Sequence, residues 1–311
     1  MTNENIIPQR NFKAYLGVVL RGFFMGASDV VPGVSGGTMA LILGIYEELI
    51  RSIKAIDFTV IKLLLSFKIK EALDIAPWKF LLSVFAGILL AIFSLAQAIE
   101  WTLENQPVLI WSFFFGLVLA SVLMVSKRIK KWSAGTMATI AAATLAAYII
   151  VGMVPTQTPN ALWFVFLSGA IAICAMILPG ISGSFILVLL GKYEYILGAV
   201  NNRDFVTLIV FALGAGIGII SFARFLSWLF DRYHDLTVAM LIGLMLGSLR
   251  KIWPWKETLS TMLDRHGQLI PIEQINILPP VFTTEVALAI GLAIFGFAIV
   301  FALESAASRK A

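Results

Sequence analysis

Glycine and hydroxyl residues are concentrated in two short segments whose chemistry suits anion binding. Glycine lets backbone N–H groups turn toward a ligand, and the apolar run after each segment predicts a helix N-terminus, which favours negative charge. The pattern predicts a cradle for a phosphate group, with tight helix packing as the alternative interpretation. The candidate ligand-binding residues are Gly33, Ser35, Gly36, Gly37 and Thr38 in the first segment and Gly180, Ser182, Gly183 and Ser184 in the second.

Two arginines lie inside otherwise apolar stretches, Arg21 and Arg224. A charge at membrane depth costs several kcal/mol, so such residues usually face a cavity or a partner. We predict that Arg224 binds a phosphate through its planar guanidinium, and Arg21 is placed in the same substrate-binding set. An arginine that reaches the interface along its aliphatic stem is one alternative for Arg224, and a buried acid partner is another.

Three acids lie in or beside the apolar stretches, and we predict that they are sites for a proton or another ion. Asp29 stands three residues before Pro32 and either caps the turn or accepts a proton; Met176 occupies the matching place in the second segment. Glu47 and Glu194 recur at equivalent positions. They could equally form a paired structural device or end their helices at the membrane interface.

The two glycine-rich segments belong to an internal repeat. Residues 32–47 read PGVSGGTMALILGIYE and residues 179–194 read PGISGSFILVLLGKYE, with no gap. A weaker match relates Trp101 and Gly116 to Trp228 and Gly243. The duplication predicts two halves, residues 1–155 and 156–311.

Composition predicts an all-α polytopic membrane protein. Hydrophobic residues make up 59% of the chain, charged residues 13%, and the mean hydropathy is +0.93. Residues 132–191 contain no Asp, Glu, Lys or Arg. About 20 apolar residues cross a bilayer as a helix. The predicted full spans are 79–103, 107–126, 133–154, 204–230, 235–250 and 283–303.

Each half is predicted to hold one re-entrant PGxSG helical hairpin as well as three spans. Proline and glycine break the helix, so residues 13–54 and 161–200 should each run as a helix, an unwound turn and one returning helix. Three crossings per half invert the second half relative to the first, and the two turns should then meet near the midplane.

The placement of charge predicts cytoplasmic N- and C-termini, because most Lys and Arg residues then fall on the inner side. Residues 55–75 have the mixed charged and apolar pattern of an interfacial amphipathic helix. Residues 251–282 are expected to form a large loop with little structure of its own. Met1 to Asn11 lack the pattern of a cleaved signal and are expected to remain.

Several chemistries find no support in the sequence. No Walker A sequence is present, so coupling to ATP is not expected. His234 and His266 are predicted to lie in loops, away from any Cys/His cluster that could bind zinc, and Cys174 is interpreted as a small core residue. We expect no metal, cofactor or nucleic-acid partner, and self-association is left open.

The stretches GASDVVPGVSGGTMALILGIYEELI and ILPGISGSFILVLLGKYEYIL resemble the PopT family of polyprenyl-phosphate translocases. The resemblance covers nearly the whole chain. It implies a bacterial cytoplasmic membrane protein that flips undecaprenyl phosphate, a lipid carrier of cell-wall synthesis, from the outer to the inner leaflet for reuse. The two turns, Asp29 and the glutamates match motif positions of the family. The assignment of Arg224 to the phosphate rests on physical reasoning alone.

The main alternative is an integral membrane enzyme similar to the BacA-type undecaprenyl-diphosphate phosphatases. In that interpretation Ser35 or Ser182 would serve the phosphate, a glutamate would act as base or metal ligand, and Arg224 would stabilise the transition state. A small-ion channel is less favoured, since two dissimilar turns do not form a selectivity ring.

Overall fold

The computed structural model describes residues 10–31, 34–263, 269–279 and 281–308, and helices dominate this part of the chain. The elements are α1 (Phe12–Asp29), α2 (Gly36–Ile42), α3 (Tyr46–Lys54), α4 (Phe58–Leu65), α5 (Ile69–Ile75), α6 (Trp78–Asn105), α7 (Pro107–Ser126), α8 (Ala134–Val151), α9 (Leu162–Ile177), α10 (Gly183–Leu189), α11 (Tyr193–Asn201), α12 (Phe205–Ser248), β1 (Lys256–Leu263), β2 (Leu269–Asn276) and α13 (Thr284–Ser308).

Five helices in the described part of the chain, α6, α7, α8, α12 and α13, are long and apolar enough to cross a membrane. The prediction of a polytopic membrane protein is therefore confirmed. All six predicted spans coincide with helix. The spans 204–230 and 235–250 are joined in α12, a 44-residue element that bends at Tyr233, where φ is −134° and ψ is 48°.

Residues 178–182 in the second PGxSG segment and residues 34–35 in the first lie outside helix, as the proline and glycines predict. Pro32 and Gly33 lie outside the described residues. The prediction of one returning helix in each hairpin is wrong, because each return is broken a second time, at Gly44 (φ +73°) and Gly191 (φ +63°). Glycine adopts this left-handed conformation without the steric penalty of a Cβ atom, so the chain can turn sharply here. Helices α10 and α11 consequently meet at an angle of 101°.

Helix packing pairs the elements in a repeated pattern. Helix α1 lies along α6, and α9 lies along the first part of α12. Helix α7 lies along α13, and α8 lies along the second part of α12. Glycines allow these close approaches; Gly116 lies against the carbonyl of Ala293, and Gly243 lies against that of Ile140.

The buried core is formed mainly by α2, α3, α7 and the second part of α12. Tyr46 is fully buried and packs edge-on against Phe230, with ring centroids 6.0 Å apart. Leu41, Ile50 and Leu241 are buried around the same centre. The first hairpin is therefore part of the protein interior.

Residues 55–75 form two short helices, α4 and α5, instead of the single helix that was predicted. Phe67 lies in the connection at a φ of 57°. Phe58, Leu65 and Phe67 expose more than three quarters of their surface, while Val60 and Ala72 are buried between the two helices. A location at the membrane interface stays a prediction.

The expectation that residues 251–282 lack structure is wrong, since β1 and β2 form an antiparallel hairpin in this segment. The register runs from Lys256 opposite Asn276 to Leu263 opposite Leu269, with an irregularity at Ser260. Within the described residues, this β-hairpin is also the part of the structure that differs from the predicted all-α class.

Candidate functional site

The two PGxSG turns contact each other through Ser35. Its side chain caps α2 by accepting a hydrogen bond from the Gly37 N–H at 3.1 Å. The same hydroxyl donates toward the carbonyls of Met176 and Leu178 at the end of α9, both at 3.2 Å. A single buried hydroxyl thus holds the beginning of one return helix against the other turn.

Thr38 provides a second bond between the turns. Its Oγ1 accepts a hydrogen bond from the Gly180 N–H at 3.1 Å, and Thr38 is fully buried. Gly37 contributes by its size, since a Cβ atom there would collide with the carbonyl of Ile177. The two turns are therefore in contact, and Ser35, Gly37 and Thr38 are the residues that join them, while a position near the membrane midplane stays a prediction.

Asp29 closes the first turn from the other side. Its Oδ1 accepts a hydrogen bond from the Gly36 N–H at 2.6 Å, and a Cβ atom at Gly36 would collide with this carboxylate. The backbone donors of Gly36 and Gly37 are thus occupied by groups of the protein itself. In this conformation Asp29 takes the place at the first turn where the sequence predicted a bound anion.

The hydroxyls of the second turn make no hydrogen bond to the backbone of the described residues. Ser182 precedes α10 but its side chain makes no capping hydrogen bond. Its Oγ lies 2.7 Å from that of Ser184, which is exposed. Gly183 has no room for a side chain, since a Cβ atom would stand 2.7 Å from the Ala172 carbonyl. The serine pair can therefore receive hydrogen bonds from a ligand or donate them.

The two arginines lie apart from these contacts. Arg224 is exposed on α12, and Arg21 is half-buried on α1. Neither forms a hydrogen bond or ion pair with any residue that the structure describes. Gln97 on α6, the residue that matches Arg224 in the weaker repeat, is exposed as well. The geometry supplies no carboxylate partner for Arg224.

Glu47 belongs to a charged cluster beside the bend of α12. Its carboxylate lies 3.8 Å from Nε2 of His234 and 3.9 Å from Arg51, which also reaches Asp231 at 3.4 Å. His234 Nδ1 lies 3.1 Å from Asp235. The prediction that His234 is in a loop is wrong; it follows the bend within α12.

The matching acid, Glu194, is exposed in the first turn of α11. Four residues after it stands Gly198, where the first repeat has Arg51, a partner of Glu47. The equivalence of the two glutamates therefore does not extend to this basic neighbour.

Contacts of two charged side chains were not anticipated from the sequence. Lys192 is fully buried, and its Nζ donates to the Thr158 carbonyl and to Oδ1 of Asn160, both at 2.8 Å. Arg10 forms a two-pronged ion pair with Glu48. The sequence signal for the Lys192 contact was a lysine at the position where the first repeat has Ile45. No sequence signal marked the pair of Arg10 and Glu48.

The arrangement provides binding groups without an activated nucleophile. Ser35 is held by backbone groups, and Ser182 contacts another serine instead of a base. Within residues 10–31, 34–263, 269–279 and 281–308, no group of three or more His, Cys, Asp or Glu side chains could hold a metal ion.

Comparison with known proteins finds two relatives that are named as transporters. A Vibrio cholerae protein named Polyprenyl-phosphate transporter is 44% identical over 301 residues, which cover 95% of this chain and 98% of the relative. A Staphylococcus aureus protein of the same name is 32% identical over 254 residues, covering 76% and 85%. No solved structure gives a significant match. Since the family profile matches residues 25–270, the chain belongs to the undecaprenyl phosphate translocase-like family.

Proposed function

We propose that this protein returns undecaprenyl phosphate from the outer to the inner leaflet of the bacterial cytoplasmic membrane, without ATP. The observation that carries the proposal is the similarity over 95% of the chain to a relative named Polyprenyl-phosphate transporter. A phosphate cannot cross hydrocarbon unaided, whereas a polyprenyl tail can stay in it. The protein then needs only a polar route for the head beside apolar helices.

The repeat supports two inverted halves, residues 1–155 and 156–311, each with a re-entrant hairpin. Helices α10 and α11 begin and end 147 residues after α2 and α3. The two parts of α12, before and after the bend at Tyr233, begin 127 residues after α6 and α7. The last helices, α8 and α13, each pack against the other half. Three spans per half place the halves in opposite orientations, with their turns near the midplane.

The ends of the helices support cytoplasmic termini. The loop after α7, which carries Lys127, Arg128, Lys130 and Lys131, lies at the bend of α12, where Asp235 accepts bonds from the N–H groups of Lys130 and Lys131. An excess of basic residues at this end suits the cytoplasmic side.

Labelling of single cysteines tests this topology on a Cys174→Ser background. A cysteine at Gln157 should react with a membrane-impermeant reagent from outside, and one at Ser133 only from inside. Reaction of both from the same face would contradict the inverted repeat.

For the phosphate itself we propose the second turn, where Ser182, Gly183 and Ser184 are not closed by an acid, with Arg21 and Arg224 supplying positive charge along the route. The first turn, with Ser35, Gly36, Gly37 and Thr38, would bind phosphate only after Asp29 leaves.

Asp29 then offers a means of coupling. A protonated Asp29 no longer attracts the Gly36 N–H as a carboxylate does, so proton binding would open the first turn to the phosphate. Glu47 and Glu194 are further candidates for the proton path. Coupling to a proton gradient follows if Asp29 is reached from different sides in the two orientations of the transporter.

A phosphatase is the second candidate, and the missing base beside Ser35 and Ser182 disfavours it. Two sets of vesicles containing purified protein separate the two. In vesicles with labelled undecaprenyl phosphate, an added soluble phosphatase reaches only the outer leaflet, and we expect the protein to bring inner-leaflet lipid within its reach. In vesicles with undecaprenyl diphosphate and no added phosphatase, we expect no release of inorganic phosphate. Release of phosphate from the diphosphate by the protein alone would favour the enzyme instead.

A further inference from the structure

An apolar groove lies between α7 and α13, away from the PGxSG turns. Its volume is about 290 Å³, and it is open on one side. Apart from Ser112, the residues that line it are apolar. The residues that shape it are Ser112, Phe115 and Leu119 on α7 and Ala289, Ala293 and Phe297 on α13.

The segment 253–255, Trp-Pro-Trp, covers one end of the groove. Trp253 packs edge-on against Phe115 with ring centroids 5.3 Å apart, and its Nε1 donates to the Ile277 carbonyl at 2.8 Å. The Ile277 N–H in turn donates to the Trp255 carbonyl at 3.0 Å. The Trp-Pro-Trp segment that covers the groove is thereby fixed to the end of the β-hairpin. The hairpin therefore helps to hold this segment in place.

Two lysines, Lys251 and Lys256, flank the covering segment in the chain. Lys256 Nζ stands 4.8 Å from the centroid of the Trp111 ring and donates to the Lys251 carbonyl. Lys251 Nζ stands 5.0 Å from the centroid of the Phe185 ring. Both side chains are half-buried, and neither forms an ion pair with a described residue. A partly buried ammonium without an acidic neighbour is stabilised by an anion, so the two amines suit an anionic ligand.

The titration of these amines agrees with a site that favours an anion. Burial, and then repulsion by the Lys251 ammonium, lower the pKa of Lys256 to about 8. Burial also lowers the pKa of Lys251. An anion between them would reverse both effects, because it favours the charged form of each amine.

The lysines also connect the groove with the second turn. Phe185, which Lys251 covers, directly follows Ser184 in α10. Contacts run in order from the cover of the groove to α10: Lys256 directly follows Trp255, its Nζ donates to the Lys251 carbonyl, and Lys251 Nζ lies over the Phe185 ring. A ligand with an apolar tail and an anionic head matches this order, since the tail would lie in the groove while its head faces the amines and the turn beyond them.

We propose that the groove between α7 and α13, together with Lys251 and Lys256, is the site at which a polyprenyl phosphate docks before it is translocated. The isoprene units next to the phosphate lie in the groove, and the phosphate binds both amines. This inference rests on the proposed function and adds to it a loading step at the end of the protein that carries the β-hairpin. With cytoplasmic termini, that end faces the outer leaflet.

Binding measurements with a short-chain polyprenyl phosphate and the corresponding polyprenol separate the two parts of the site. The Lys251→Gln/Lys256→Gln variant should bind the phosphate about tenfold or more weakly, as expected for loss of hydrogen bonds to a charged group, and bind the alcohol normally. Ala293→Phe, which fills the groove, should weaken both. Matched controls are Lys79→Gln, another lysine over a tryptophan, and Ala287→Phe on the exposed face of α13.

Photo-crosslinking keeps the proposal testable if a variant does not fold. A polyprenyl phosphate with a diazirine in its first isoprene unit should label residues 112–119, 253–255 and 289–297 of the wild-type protein. Labelling confined to other helices would overturn the docking site. Normal phosphate binding by the double lysine variant would do the same, even if wild-type protein translocates lipid. Protein that binds at the groove but never translocates would instead overturn the proposed function.

Discussion

Thr38→Val removes the bond between the two turns while nearly preserving the shape of the side chain. The Gly180 N–H would then be buried without a partner, because Thr38 Oγ1 is its acceptor at 3.1 Å and Gly180 is buried. An orphaned buried donor costs about 1–3 kcal/mol. Since about 1.4 kcal/mol corresponds to a factor of ten, local opening of the second turn should become roughly 5–150 times more frequent.

Hydrogen exchange measured by mass spectrometry on residues 178–182 reports this change directly. We expect faster exchange of these amides in Thr38→Val, whereas exchange in α8 should be unchanged. Thr139→Val is the matched control, because the Thr139 hydroxyl bonds only to the Gly135 carbonyl of its own helix. Exchange at wild-type rates in Thr38→Val would refute the contact between the turns.

Three further predictions concern charged residues. Asp29→Ala should destabilise the protein by about 1–3 kcal/mol in reversible unfolding, because the Gly36 N–H loses its acceptor. Asp29→Asn should keep most of the stability but lose the part of the pH dependence of transport that titration of this carboxyl causes. Binding of polyprenyl phosphate should weaken as pH rises through about 8, where the Lys256 ammonium is lost, and Lys256→Arg should remove this effect, because arginine stays charged. Arg224→Ala should leave the melting temperature within about 1 °C of wild type, because Arg224 has no described protein partner. The same variant should slow transport, because it removes positive charge from the proposed route of the phosphate. A large loss of stability would contradict this placement of Arg224.

Features that depend on local sequence were predictable. The spans follow from long uncharged stretches, and α7 covers residues 107–126 as predicted. The unwound turns follow from proline and glycine, whose effects on the backbone need no tertiary context. The meeting of the turns followed from the repeat, once the second half was assumed to be inverted.

Features that depend on distant contacts were not predictable in the same way. Ser35 lies in a sequence that is typical of anion binding, but its hydroxyl donates to carbonyls that lie more than 140 residues away in the chain. Asp29 fills the first turn only because the chain folds back on it. The charged residues 231–235 indicated a loop between two spans, yet none of them is a strong helix breaker, and α12 continues through a bend.

The docking groove was missed for a related reason. Lys251 and Lys256 read as ordinary loop charges, and nothing local shows that both amines are half-buried beside aromatic rings. Residues 256–263 and 269–276 also carry charges that hid their strand pattern. Interpretation of such a loop needs the neighbouring helices.

The central claim is that the protein carries a lipid phosphate between leaflets by way of the second turn. Its most direct test is the rate at which inner-leaflet undecaprenyl phosphate becomes accessible in vesicles without ATP, compared between wild type and the Ser182→Ala/Ser184→Ala variant. We predict rapid exposure with wild type and a rate reduced about tenfold or more in the variant, through loss of two hydrogen bonds to a charged head group. Wild-type protein that leaves the inner-leaflet lipid protected, as in protein-free vesicles, would contradict the account.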